Sequence, residues 1–332
     1  MRKLTIQSPD YSITLPKLIL GSTMFGTPEN RVLPYGKSIC EEQAFRLMDR
    51  YAELGGFCID TAKVYGDWDD KDDSLSEKTI AKWLDSRKKR DNVIVITKGL
   101  HPRFYALDVS RVMPECLSYD IEHSLRNLKT DVIDIYLTHE DNEKVPVSAL
   151  MPVLDRYVKE GKIKIIGASN WSAERVAEAN RFADENGLTP FAVTEVNWAL
   201  AVETPEHCMF PESPFLDDGE RKKYMDMGMP ILAWASQAGG VVTRVAENGW
   251  DSISEGLRLR YYNDTTIKRI ENVKRISKDT GLTATQLALA YITCNEAEGA
   301  ALIGPSTIEH MDSSMAAGNV EISLDIVNAL TE

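Results

Sequence analysis

No apolar run in this 332-residue chain approaches the roughly 18 residues that suggest a membrane-spanning helix; stretches such as 93–97 and 163–166 are short and bounded by polar residues. Positive charge is also in deficit. There are 38 basic side chains against 51 acidic ones, and the resulting formal charge of −13 opposes loose association with nucleic acid or anionic lipid. Cysteine is sparse: Cys40, Cys58, Cys116, Cys208 and Cys294 are dispersed without a CxxC pair, which speaks against a disulfide framework or a zinc ribbon and reads as structural thiols of a reduced compartment. Residues 1–8 carry basic charge but no apolar core or small-residue cleavage site, so they do not read as a secretory signal and the expected location is cytoplasmic. No Pro- or Ser-rich linker interrupts the chain, and a single domain over 1–332 is expected.

What is present is an alternation of short β-branched runs with longer amphipathic stretches, from one end of the chain to the other. Strands are expected at 17–20, 57–60, 93–98, 132–137, 163–167, 192–196, 230–234 and 299–303. Helical stretches follow at 41–54, 76–85, 114–128, 147–159, 173–186, 217–227, 266–279, 283–293 and 308–316. Eight such strands in a chain of this length favour an α/β fold of the (β/α)8 TIM-barrel type, with extra helices towards the C-terminus. A doubly wound sheet is the runner-up. Against it, Gly21-Ser22-Thr23-Met24-Phe25-Gly26 after the first strand lacks the GxGxxG spacing of a dinucleotide fingerprint. The early runs 4–6 and 11–15, separated by Ser8-Pro9-Asp10, predict a β-hairpin plugging one end. Residues 237–263 read as an irregular excursion of the kind that forms binding loops.

In a barrel the chemistry sits at the C-terminal strand ends, and four polar residues fall there. Asp60 ends the second strand with Tyr65 in its loop, Lys98 ends the third and His139 the fourth. Singly each has an ordinary explanation: a turn cap, a loop aromatic, a paired lysine, a satisfied core histidine. Together at one barrel mouth they suit proton transfer. A phenol of pKa about 10 is a poor acid at neutral pH, and an ammonium beside it lowers that value. Lys98 is expected to do this for Tyr65, with Asp60 holding Lys98 charged and His139 fixing a polar substrate atom. The set suits an oxygen that develops negative charge, as a carbonyl does on accepting hydride.

These residues lie in blocks that resemble the aldo-keto reductase family: Gly55-Gly56-Phe57-Cys58-Ile59-Asp60-Thr61-Ala62-Lys63-Val64-Tyr65-Gly66, Ile96-Thr97-Lys98-Gly99, Asp131-Val132-Ile133-Asp134-Ile135-Tyr136-Leu137-Thr138-His139 and Gly161-Lys162-Ile163-Lys164-Ile165-Ile166-Gly167-Ala168-Ser169-Asn170. The resemblance covers most of the chain and implies a (β/α)8 barrel that reduces a small-molecule carbonyl with a nicotinamide cofactor, usually NADPH. It implies that Asp60, Tyr65, Lys98 and His139 are the catalytic tetrad, with Tyr65 the proton donor. It further places Ser169, Asn170 and Glu195 at the carboxamide, the last in place of the usual Gln, and Trp234 against the nicotinamide ring. Ala235 and Gln237 fall in the pyrophosphate loop. Gly304, Ser306, Thr307, His310 and Ser314 stand at the adenosine end, where many relatives carry fixed cations, so NADH is the alternative and Arg244 is a loop cation within reach.

Trp68, His101, Glu140 and Trp171, with Trp198, are candidates for a substrate pocket of aromatic walls and polar rims, suited to a sugar-derived carbonyl. The basic run at 87–90 precedes the third strand, at the wrong end of the barrel for a phosphate site, and reads as a solvated helix terminus. Two other readings are a redox-sensing nicotinamide-binding subunit with little turnover and a metal-dependent barrel hydrolase using Asp60 and His139; the leading reading has no metal. The carbonyl, the direction of reaction and the oligomeric state stay open.

Overall fold

The runs Ile133–Thr138 and Ile163–Ser169 are buried along nearly their whole length, as befits parallel strands covered on both faces. A computed structural model of the chain describes residues 1–28, 32–33, 36–68, 74–208 and 216–332. Eight parallel strands close in it: β1 (Leu18–Gly21), β2 (Cys58–Asp60), β3 (Ile94–Gly99), β4 (Ile133–Thr138), β5 (Ile163–Ser169), β6 (Thr194–Asn197), β7 (Ile231–Trp234) and β8 (Gly299–Ile303). Each pairs with its neighbour in sequence, and β8 pairs with β1 to complete the barrel. The fold is the (β/α)8 barrel.

Helices α1 (Glu41–Glu53), α2 (Leu75–Arg87), α3 (Pro114–Leu128), α4 (Val147–Lys159), α5 (Ala173–Asn186) and α6 (Asp218–Asp226) follow the first six strands. Their apolar stripes, such as Leu117, Ile121, Leu125 and Leu128 of α3, bury against the outer barrel face. Inside, Ile19, Ile96, Ile135, Ile165, Leu232 and Leu302 form a second core, which the N-terminal hairpin joins. Its strands Lys3–Gln7 and Ser12–Pro16 alternate exposed and buried residues, and Leu4, Ile6, Ile13 and Leu15 face the barrel interior. Burying each such side chain contributes about 1.5–3 kcal/mol. The hairpin thereby seals the N-terminal end and leaves the opposite mouth to the strand-end residues.

The excursion expected at 237–263 is not irregular. It contains helices α7 (Val241–Asn248) and α8 (Glu255–Tyr261) joined by short 3-10 turns. Gly239, Gly240 and Gly249, all with positive φ, break the pattern into pieces too short to show a clear period, while Val241, Val242 and Val245 still give α7 a buried face. After α9 (Asp264–Thr280), α10 (Ala284–Thr293) and β8 come α11 (Ile308–Met315) and α12 (Leu324–Ala329), the extra C-terminal helices. Residues 209–215, which precede α6, lie outside the described residues. The basic run at 87–90 is structural: Arg87 holds Asp49 of α1, and Arg90 donates to Asp134 and to the Val132 carbonyl below the barrel. Among the described residues no helix is long and apolar enough to cross a membrane.

Candidate active site

The end of β3 carries Lys98 inward, its side chain wholly buried. Gly99 follows because a Cβ there would overlap the Tyr136 hydroxyl and Asp120. The buried ammonium is fully partnered. It donates to both oxygens of Asp60, at 2.7 and 2.5 Å, and to the Thr61 carbonyl at 3.0 Å, and it lies 3.2 Å from Glu195 Oε1. Burial alone lowers an ammonium, but Asp60 and Glu195 reverse this and hold Lys98 above its ordinary value. The same burial raises the carboxyl of Asp60 against the pull of Lys98.

Tyr65, half-buried in the loop after β2, has Lys98 Nζ 5.4 Å from its ring centre. The expected lowering of its pKa does not materialise. Removal from water outweighs the attraction of Lys98, and the charge of Asp60 adds to it, so the phenol is pushed up to about 12. Thr23, in the loop after β1, weakly opposes this rise; sequence reasoning missed it, because a lone threonine in a loop gives no signal. The ring of His139 meets Tyr65 edge-on with centres 5.6 Å apart and tilts against His101 at 4.8 Å. Burial first, then His101 and Lys98, drive His139 well below the usual imidazole range, so the ring is neutral. Asp60, Tyr65, Lys98 and His139 are thus brought together as the strand ends predict.

The next two strands form the adjoining wall. Asn170, at φ 60°, donates to the His139 carbonyl at 2.9 Å and accepts from Trp234 Nε1 at 2.9 Å, tying β4 to β7 across the mouth. Asparagine tolerates this left-handed backbone better than most residues. Ser169 and Glu195 are paired neighbours on β5 and β6. Ser169 Oγ and Glu195 Oε2 are both buried without a hydrogen-bond partner among the described residues. Adjacent orphaned polar atoms of this kind fit an amide-bearing ligand. Glu195 also reaches the Lys98 ammonium, a contact that the sequence did not disclose.

Beyond β7, Ala235, Ala238, Gly239 and Gly240 all have positive φ, and the N–H groups of Ala238 and Gly240 donate within the turn to the Ala235 and Gln237 carbonyls, both at 2.7 Å. Arg244 Nη2 donates to the Gly239 carbonyl at 2.5 Å and so lies over this loop. Gln237 accepts from Ser314 at 3.4 Å, linking the loop to α11. At the start of α11, Thr307 spends its hydroxyl on capping the His310 N–H, and Ser306 approaches His310 Nδ1 at 3.4 Å. Gly304 is exposed beside them.

On the other flank, Trp68 stacks on Phe104 with ring centres 4.6 Å apart, and Phe104 packs beside His101. His101 Nδ1 lies 2.6 Å from the Pro102 carbonyl and must donate to it, while Nε2 lies 3.4 Å from Glu140 Oε1. Trp171 and Trp198 are corrections to the expected pocket. Trp171 is wholly buried, with Nε1 on the Glu140 carbonyl and its ring against Phe191, and Trp198 packs edge-on against Tyr291. Both fill core under the rim, where a large apolar ring gains most from burial.

The model of the aldo/keto reductase family matches residues 17–332. A putative aryl-alcohol dehydrogenase of Saccharomyces cerevisiae is 28% identical, the alignment covering 99% of this chain and 85% of that protein. An aryl-alcohol dehydrogenase [NADP(+)] of Phanerodontia chrysosporium is 26% identical over 98% of this chain and 84% of its own length. A norsolorinic acid reductase of Emericella nidulans is 27% identical, with 96% and 78% covered.

Proposed function

Because the chain belongs to the aldo/keto reductase family and is an NAD(P)H-dependent oxidoreductase, we propose that it reduces an aldehyde or ketone to an alcohol with Tyr65 as the proton donor. The observation that carries this reading is the buried ammonium of Lys98, held by Asp60 under the Tyr65 ring, with neutral His139 edge-on to the same phenol. A nicotinamide cofactor, when bound, would supply the hydride that reduces the carbonyl carbon. Tyr65 Oη gives its proton to the carbonyl oxygen, and the nearby ammonium stabilises the phenolate left behind. His139 donates one N–H to the same oxygen and orients it, and a neutral ring does so without adding a charge that would compete with Lys98.

The residues fit a nicotinamide nucleotide. Ser169, Asn170 and Glu195 would hold its carboxamide, the half-buried Trp234 indole would lie against its ring, and the turn at Ala235–Gly240 would receive the pyrophosphate. NADPH is the preferred form: Arg244 supplies a cation over the loop, and the named Phanerodontia relative is an NADP(+) enzyme. Gly304, Ser306, Thr307 and His310 would border the adenosine.

For the substrate, the stacked Trp68 and Phe104 offer an apolar wall, and His101 Nε2 and the Glu140 carboxyl offer polar atoms at its rim. This favours a carbonyl compound bearing hydroxyl groups over a purely aromatic one. The test is steady-state turnover on matched hydroxylated and aromatic aldehydes with NADPH and with NADH. Higher kcat/KM for hydroxylated aldehydes with NADPH supports the reading, and no turnover on either class overturns it.

A further inference from the structure

Lys98 is one positive charge shared by two carboxyl groups. Asp60 comes from β2 and Glu195 from β6, and all three side chains are at most 3% exposed. If both acids were ionised, the cluster would bury an uncompensated negative charge, an arrangement that proteins avoid by keeping a proton on one member. The geometry identifies which. Asp60 takes the ammonium with both oxygens, at 2.5 and 2.7 Å, whereas Glu195 has one contact at 3.2 Å and leaves Oε2 without a partner. We propose that Glu195 is a protonated carboxylic acid in the resting protein, and that its proton links nicotinamide binding to pH.

The surroundings of Glu195 agree. Facing it are Cys58 and Asp60 of β2, Tyr65 of the following loop and Lys98 of β3; its strand neighbours are the uncharged Ser169 of β5 and Leu232 of β7. Lys98 is the single cation in this set. Burial and then the charge of Asp60 hold the Glu195 carboxyl well above the usual carboxylate range, against the pull of Lys98. In the unliganded chain nothing favours its ionisation beyond a cation already committed to Asp60.

The second half of the proposal rests on the nicotinamide reading above. A protonated carboxyl offers one acceptor and one donor, the same pair that a glutamine amide presents, so Glu195 in this form complements a carboxamide at the orphaned Oε2. The oxidised nicotinamide ring carries a positive charge and the reduced ring does not. Binding the oxidised form therefore favours ionisation: the Glu195 O–H bond breaks, its proton passes to solvent, and the electron pair stays on the carboxylate. Binding the reduced form leaves the proton in place.

Two measurements test this. Infrared difference spectra of the unliganded protein at neutral pH, wild type minus Glu195→Gln, should contain a carboxylic-acid C=O band that shifts in D2O; its absence overturns the proposal whatever the nucleotide does. Calorimetric titration with NADP+ and with NADPH, each in two buffers of different ionisation heat, counts protons released. The wild type and Tyr65→Phe should release up to about one proton with NADP+ and none with NADPH, and Glu195→Gln should release none with either. Equal release with both nucleotides, or release retained in Glu195→Gln, overturns the linkage. Binding of neither nucleotide overturns the nicotinamide reading and the linkage with it, while the infrared result stands on its own.

Discussion

Asp60 grips the Lys98 ammonium with both carboxylate oxygens while Glu195 touches it with one. Removing one partner of a buried ion pair ordinarily costs about 3–5 kcal/mol, because the survivor is left unpaired. Here a second acid stands ready to ionise. Asp60→Asn should therefore lose less stability than that range, and the double variant Asp60→Asn with Glu195→Gln should lose more than the two single losses summed. Denaturant melts of the four proteins measure the coupling. Simple additivity would show that Glu195 does not share the ammonium.

Replacing Lys98 by Met removes the charge that stabilises a Tyr65 phenolate. Turnover should fall by about 100- to 1,000-fold, with nucleotide affinity changed far less, since the ammonium serves the proton transfer. A kcat within a few-fold of wild type in stopped-flow or steady-state assays would show that Tyr65 does not depend on Lys98.

The rings of His101 and His139 are buried side by side, and burial depresses both pKa values. In the unfolded chain they titrate at about 6.5. As pH falls below that value the unfolded state binds protons that the folded rings refuse. The stability associated with these rings is therefore fully present above about pH 6.5 and is lost as pH drops towards their folded values. Melting temperature at a series of pH values should fall less steeply on the acid side for the His101→Gln, His139→Gln double variant. An unchanged acid slope would contradict the neutral pair.

Asn170 joins the His139 carbonyl to Trp234 from a left-handed backbone position. Asn170→Ala loses both hydrogen bonds and places alanine at a φ it disfavours, whereas Asn170→Gly loses only the bonds. Each lost bond is worth about 0.5–1.5 kcal/mol, so both variants should be destabilised, alanine more than glycine. Nucleotide affinity should weaken in both, read by quenching of tryptophan fluorescence. Equal stability of the two variants would remove the backbone from the account.

Much of this was legible because barrel strands and their helices differ in period and composition. The observed bounds of α3, α4 and α5 coincide with the sequence expectation, and the strand-end rule put Asp60, Lys98 and His139 at one mouth. Helices α7 and α8 were hidden because glycines cut them into one- and two-turn pieces. The Glu195 contact was illegible for another reason: β6 and β3 are far apart around the barrel, and only closure brings a glutamate across the interior to Lys98. Trp171 and Trp198 misled because a tryptophan near a strand end can face the pocket or the core, and sequence does not record which.

The central claim is that Tyr65 delivers the proton in carbonyl reduction. Tyr65→Phe keeps the ring against His139 and removes only the hydroxyl, so NADPH should bind the variant with a Kd within a few-fold of wild type. Single-turnover oxidation of bound NADPH by the best aldehyde should be abolished at the same time. Hydride transfer at an undiminished rate in Tyr65→Phe would contradict the account.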